Sequence, residues 1–116
     1  MSVKVLKNVI GTDLPLLDIP GVKAYLADVS ASENATSPMT GGMFRLEASD
    51  PLDFTYKYDE MKIVLEGEVT IEDSEGVSHE LVAGDFIQFS KGAKVIFSTP
   101  SSGLMLYVAQ RKFGEL

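Results

Sequence analysis

Two segments constrain this chain more than any others. Tyr58-Asp-Glu-Met-Lys-Ile-Val-Leu-Glu-Gly-Glu68 and Gly84-Asp-Phe-Ile-Gln-Phe-Ser-Lys-Gly92 set short runs of apolar β-formers between glycine-bearing turns. Elsewhere, too, apolar and polar residues alternate with a period near two, and helical spacing never persists over a helix's length. The expected strands are Val3 to Val9, Val22 to Val29, Gly42 to Glu47, Phe54 to Tyr58, Met61 to Leu65, Val69 to Glu72, Ser78 to Leu81, Phe86 to Phe89, Lys94 to Ser98 and Leu104 to Gln110. Asp73 to Gly76, Ala83 to Asp85, Ser90 to Gly92 and Thr99 to Gly103 carry the Gly, Pro, Asp and Ser of tight reversals. Many short antiparallel strands make this an all-β chain, of the sandwich or jelly-roll kind.

A length of 116 residues suits one domain, expected to run over 1–116, and suffices for a core without staples. With no cysteine, the chain has neither a disulfide framework nor thiolate chemistry. Lys plus Arg number 10 against 17 Asp plus Glu, a net charge of -7 that repels polyphosphate backbones and anionic membranes. Nucleic acid and membrane partners are therefore not expected. No apolar run approaches the ~18 residues of a membrane span and no leader pattern opens the chain, so a cytoplasmic location is expected.

The two segments resemble, in order and punctuation, the two motifs of the cupin superfamily, with the likeness covering about residues 42 to 110. The fold this implies is the double-stranded β-helix, a jelly-roll barrel. In the first motif a His-x-His pair precedes a Glu and a Gly. Glu60 and Gly67 fit the second half, but the histidine positions hold Phe54 and Tyr56 in one register, or Asp53 and Thr55 in the other. In the second motif Gly84 and Gly92 match, whereas the metal histidine has become Val95. Among cupins, these segments look most like the ethanolamine-utilisation EutQ-type proteins, which also lack the usual histidines. That resemblance implies a link to ethanolamine metabolism in bacterial microcompartments and to acetate kinase activity. A second likeness is to ureidoglycine aminohydrolase-type cupins, which use a metal.

Metal ligation normally requires several inward imidazole or carboxylate donors. Of the motif ligands, only Glu60 is retained. His79 is expected on a surface or edge strand, and an oxygen-only site from Asp53, Tyr56 and Glu60 would hold a hard cation weakly. No cofactor is predicted. The barrel's chemistry then falls to side chains. If Glu60 points inward, period-two alternation turns Tyr58, Lys62 and Val64 inward with it, and Tyr56 and Phe54 as well unless a bulge near Asp59 breaks the phase. Phe97 shares a phase with Val95, and Gln88 with Phe86; either Phe44 and Leu46 or Met43, Arg45 and Glu47 face the lumen.

The candidate catalytic residues are Glu60 as general acid or base, with Tyr56 and Tyr58 as hydrogen-bond donors to a developing oxyanion. The candidate ligand-binding residues are Lys62, Arg45, Gln88 and Phe97, the two cations suiting an anionic small-molecule ligand. Against these roles stands a purely structural Glu60–Lys62 pair with packed tyrosines. Three readings stay open: a metal-independent acid/base enzyme (isomerase, lyase or kinase-like), a non-catalytic ligand-binding or assembly module, and an atypical metal-dependent enzyme. Gly67, Gly76, Gly84 and Gly92 are expected at strand reversals, and Asp85 is expected to cap its own turn. The polar stretch Ser30 to Thr40 has the length of a lid. Leu104 to Ala109 is apolar on both faces, which predicts a homodimer covering the outer one.

Overall fold

The computed structural model describes residues 2–116. After a single 3-10 turn at Val9–Gly11 come eight strands: β1 (Ala24–Ala31), β2 (Thr40–Glu47), β3 (Leu52–Thr55), β4 (Glu60–Glu72), β5 (Ser78–Val82), β6 (Phe86–Phe89), β7 (Lys94–Ser98) and β8 (Ser102–Ala109). They form a curled antiparallel sheet ordered β1-β2-β8-β4-β7-β3, with β5 and β6 also paired to β4. The all-β jelly roll expected from the sequence is what these pairings build. Among the described residues no helix is long and apolar enough to cross a membrane.

The long strand β4 organises the barrel. Its first half pairs with β8 and β6, and its second half with β5 and β7. The sequence suggests two strands here, Met61 to Leu65 and Val69 to Glu72, split at a Gly67 reversal. Instead the chain bends and continues. The register to β8 slips between Val64 and Glu66, and Gly67 opposite Gly103 carries φ 74°. A Cβ on Gly67 would collide with the Ser102 carbonyl oxygen, so the bend needs glycine for backbone and for space. Gly76, Gly84 and Gly92 do sit at reversals with positive φ. The Asp85 carboxylate accepts from the Val82 amide at 2.9 Å, closing its turn.

Residues Val3 to Val9 do not form the expected strand. Val3 and Val5 are exposed, and the space beside β1 is taken by Pro15 to Leu17. There the Leu17 amide donates to Ala24 O (2.8 Å) and the Leu26 amide to Pro15 O (3.1 Å), and Leu16 bridges Tyr25. A strand needs a free edge, and this one is occupied. The Ser30 to Thr40 stretch folds on itself, with Ser37, Pro38 and Met39 lining a groove that Glu60 also borders. The Ser32 amide donates to Met39 O at 2.8 Å, and Asn34 Oδ1 accepts from the Thr36 and Ser37 amides, making a compact hairpin loop between β1 and β2.

The core lies between the curled faces. From β1 and β2 come Ala24, Phe44 and Leu46; from β3 and β4, Leu52, Val64, Val69 and Ile71; from β6 to β8, Phe89, Val95, Phe97 and Met105. Alternation runs unbroken from Leu52 through Phe54, Tyr56, Tyr58, Glu60 and Lys62 to Val64, with the intervening residues turned outward or exposed. No bulge interrupts it at Asp59. There the Asp59 carboxylate accepts from the Lys91 amide (2.8 Å) and its carbonyl from the Gln110 amide (2.9 Å), which holds the connection between β3 and β4 extended.

Candidate functional site

That phase carries four polar side chains into an otherwise apolar barrel. Glu60 and Lys62 are each 4% exposed, Tyr56 2% and Tyr58 8%. Tyr56 Oη donates to Glu60 Oε2 at 2.6 Å, and Lys62 Nζ donates to the same oxygen at 2.8 Å. Glu60 Oε1 has no hydrogen-bond partner among the described residues. Consecutive inward positions on one strand lie about 6.6 Å apart along it, which lets two long side chains meet end to end.

Lys62 Nζ sits in an aromatic cage. Ring centroids of Tyr107, Phe44, Phe97 and Phe89 lie 4.8, 5.0, 5.8 and 5.9 Å from it. Phe97 packs edge-on against Phe44, and Tyr56 stacks on Phe89 at 4.5 Å. Burial pushes the Lys62 ammonium below its usual pKa, while the Glu60 carboxylate pulls the other way. Tyr56 and Tyr58 are both pushed up, by burial first and by Glu60 next, so both stay phenols and donors near neutrality.

A cavity of about 50 Å³ touches this cluster. Tyr56, Tyr58, Glu60, Lys62 and Phe97 line it together with Leu17, Leu26, Leu52 and Phe54. Among the described residues Tyr58 Oη makes no well-formed hydrogen bond, and neither does Arg111 Nε of the guanidinium beside it, which pulls the Tyr58 pKa down against burial. Native structures leave few such groups, and each calls for an explanation.

Arg45 and Gln88 do not line this cavity, although Gln88 shares a second groove with Glu60, Met61 and Val108. Arg45 lies outward between Phe44 and Leu46 and lines a surface groove with Tyr25 and Glu47. Gln88 pairs with Met61, whose side chain alternates away from Glu60 and Lys62, so both face the exterior. Phe86 is exposed on the same face. His79 is half exposed on edge strand β5, with Nε2 3.1 Å from Asp73 Oδ2. Asp53 is exposed, away from Glu60.

A cupin's usual metal does not fit this donor set. Among the described residues no group of three His, Cys, Asp or Glu side chains is placed to hold an ion. Val95 fills one ligand position with a methyl-bearing side chain, and the ammonium of Lys62 already pairs with Glu60, the only carboxylate in the lumen among the described residues.

Next to the cage lies a second polar cluster that the sequence did not announce. Arg111 Nη1 and Nη2 reach Asp28 Oδ2 and Oδ1 at 2.8 and 2.7 Å, a bidentate pair. Tyr107 Oη donates to Asp28 Oδ1 at 2.6 Å and the Gly114 amide to Oδ2 at 2.7 Å. Gly42, opposite Tyr107, leaves room for that phenol, because a Cβ there would overlap its hydroxyl. The Arg111 guanidinium covers the Tyr58 ring at 5.4 Å. Asp28 and Arg111 lie 83 residues apart, so no local spacing marks them as partners.

Burial alone would raise the Asp28 pKa, but hydrogen bonds from Arg111, Tyr107 and the Gly114 amide outweigh it and hold it at about 2, against an ordinary 3.8. A depressed carboxylate contributes stability that is present above its unfolded pKa and lost as pH falls through its folded one. Between pH 4 and pH 2, acid titration followed by circular dichroism is expected to remove about 2 kcal/mol through this group. Asp28→Asn should flatten that part of the profile.

The comparisons agree with this geometry. The model of the family described as "Ethanolamine utilisation protein EutQ" matches residues 1–111. A relative from Salmonella typhimurium, named acetate kinase EutQ, is 37% identical over 84 residues, covering 72% of this chain. The chain spans only 35% of that relative's length. A solved Salmonella typhimurium structure, called a putative ethanolamine utilization protein, aligns with TM-score 0.71 and 30% identity over 84% of this chain and 77% of that one. The cupin domain of Schizosaccharomyces pombe Cnp3 aligns with TM-score 0.71 at 8% identity, over 90% of this chain and 72% of that one, a likeness of fold alone. The inward phase from Leu52 to Val64, the lost metal histidines and these matches together make the chain a member of the EutQ family of cupins.

Proposed function

We propose that the barrel binds a small, uncharged, oxygen-bearing metabolite, with Tyr58 Oη as its main hydrogen-bond partner. The observation that carries this reading is the buried Tyr58 hydroxyl, which makes no well-formed hydrogen bond among the described residues, on an apolar cavity of about 50 Å³. A water needs about 10–15 Å³ by the same kind of measure, so a ligand of about four heavy atoms matches the space. Charge argues for neutrality, since Lys62 and Glu60 compensate each other and Arg45, the second cation expected in the site, lies outside. The family's name points to ethanolamine catabolism, whose two-carbon products are of that size.

Acetate, suggested by the relatives' printed activity, would meet the Glu60 carboxylate and would enter only with a proton taken up. A nucleotide exceeds the cavity altogether, so a kinase role would draw its phosphate site from elsewhere. A non-catalytic binding module is the second reading, favoured by the outer face of β4, β6 and β8, where Met61, Phe86, Leu106 and Val108 stand exposed. On that reading a homodimer forms across this face.

The test is a ligand-observed NMR titration with small alcohols, aldehydes, amides and carboxylates, on the wild type and on Tyr58→Phe. The variant is expected to bind about fivefold to tenfold more weakly, as for one lost hydrogen bond, yet to melt little lower, because the hydroxyl it removes makes no well-formed hydrogen bond among the described residues. Equal binding by both proteins would remove Tyr58 from the site and this reading with it.

A further inference from the structure

We propose that Lys62 is an amine nucleophile that forms a Schiff base with a small aldehyde or ketone in the barrel cavity, with Glu60 carrying the protons and Tyr58 Oη bonding the carbonyl oxygen. The proposal names a substrate class for the site described above and rests on that reading.

A buried ion pair is a poor way to stabilise a barrel, since apolar residues of similar size at the same positions usually do as well or better. Lys62 and Glu60 nonetheless line the cavity, beside a phenol that makes no well-formed hydrogen bond among the described residues. Amine, proton carrier and oxygen donor thus surround one small apolar space, which is what carbonyl condensation requires. Burial favours the neutral, nucleophilic form of Lys62, and Glu60 Oε2 lies 2.8 Å away to take its proton.

The step balances. Glu60 accepts a proton from the ammonium, and the freed nitrogen attacks the carbonyl carbon. The C=O π electrons move to oxygen, held by Tyr58, and a proton relayed by Glu60 from nitrogen makes the neutral carbinolamine. Glu60 then protonates the hydroxyl, water leaves, and the nitrogen lone pair forms the iminium. One ammonium and one carbonyl compound become one iminium and one water, and Glu60 ends as a carboxylate. The nitrogen is cationic before and after, so the rings of Tyr107, Phe44, Phe97 and Phe89 and the Glu60 carboxylate serve both states. Leu17, Leu26, Leu52 and Phe54 shield the product from water.

The test incubates the full chain with acetaldehyde and cyanoborohydride and maps alkylated lysines by peptide mass spectrometry, alongside NMR titration of acetaldehyde without reductant. Expected is labelling of the buried Lys62 at least about tenfold faster than the exposed Lys57 and Lys91, a gap of about 1.4 kcal/mol in barrier. Tyr58→Phe should slow Lys62 labelling and leave the exposed lysines unchanged. Bound acetaldehyde with Lys62 unlabelled would overturn the Schiff base and leave the binding reading standing. No Lys62 labelling, with no binding of acetaldehyde or of the alcohols and amides of the first titration, would overturn both.

Discussion

Arg111→Met is expected to lower the folding free energy by about 3–5 kcal/mol, the usual cost of removing one partner from a buried ion pair. Arg111 and Asp28 are 3% and 6% exposed, and the guanidinium supplies two of the four hydrogen bonds that satisfy the carboxylate. Without it Asp28 keeps only the Tyr107 hydroxyl and the Gly114 amide. The Arg111 backbone carbonyl accepts from Thr40 Oγ1 at 2.7 Å, so that anchor survives the substitution. Urea denaturation checks this through the midpoint at constant m. A loss below about 1 kcal/mol would mean that the pair behaves as an exposed one.

Lys62→Met belongs to the same class and carries more information. Methionine fills the aromatic cage, but Glu60 is left buried with only the Tyr56 hydroxyl, and about 3–5 kcal/mol should be lost at neutral pH. Adding Glu60→Gln removes the stranded charge, and the double variant should recover most of that loss. Chemical denaturation of both singles and the double gives the coupling energy. If the double variant is as unstable as the sum of the singles, Glu60 and Lys62 do not act as a pair.

The legible part of this site follows from one property of the sequence. Tyr56, Tyr58, Glu60 and Lys62 share a period-two phase, and strand geometry sends such residues to one side. Their convergence with Phe97 was therefore readable before any coordinates, although whether the phase survived Asp59 depended on hydrogen bonds from Lys91 and Gln110, distant in sequence. Gln88 and Arg45 lie outside the lumen, and alternation could not say so, because it tells which residues share a face but not which face is inner. Register decides that, through Gln88 opposite Met61 and Phe44 opposite Met105. Val3 to Val9 alternates like a strand, yet the β1 edge is taken by Pro15 to Leu17, and which edges are taken is a property of the whole sheet. Tyr107 lay in phase on an apolar strand, but its bond to Asp28 spans 79 residues and follows only from the closed barrel.

The central claim is that the Lys62–Glu60 pair occupies the barrel's centre in place of a cupin metal. Elemental analysis of untagged protein grown in metal-supplemented medium, wild type beside Glu60→Gln, tests it most directly. Far less than one equivalent of any transition metal in both proteins is the predicted result. Near-stoichiometric metal in the wild type that disappears in Glu60→Gln would contradict it, and would make Glu60 a metal ligand.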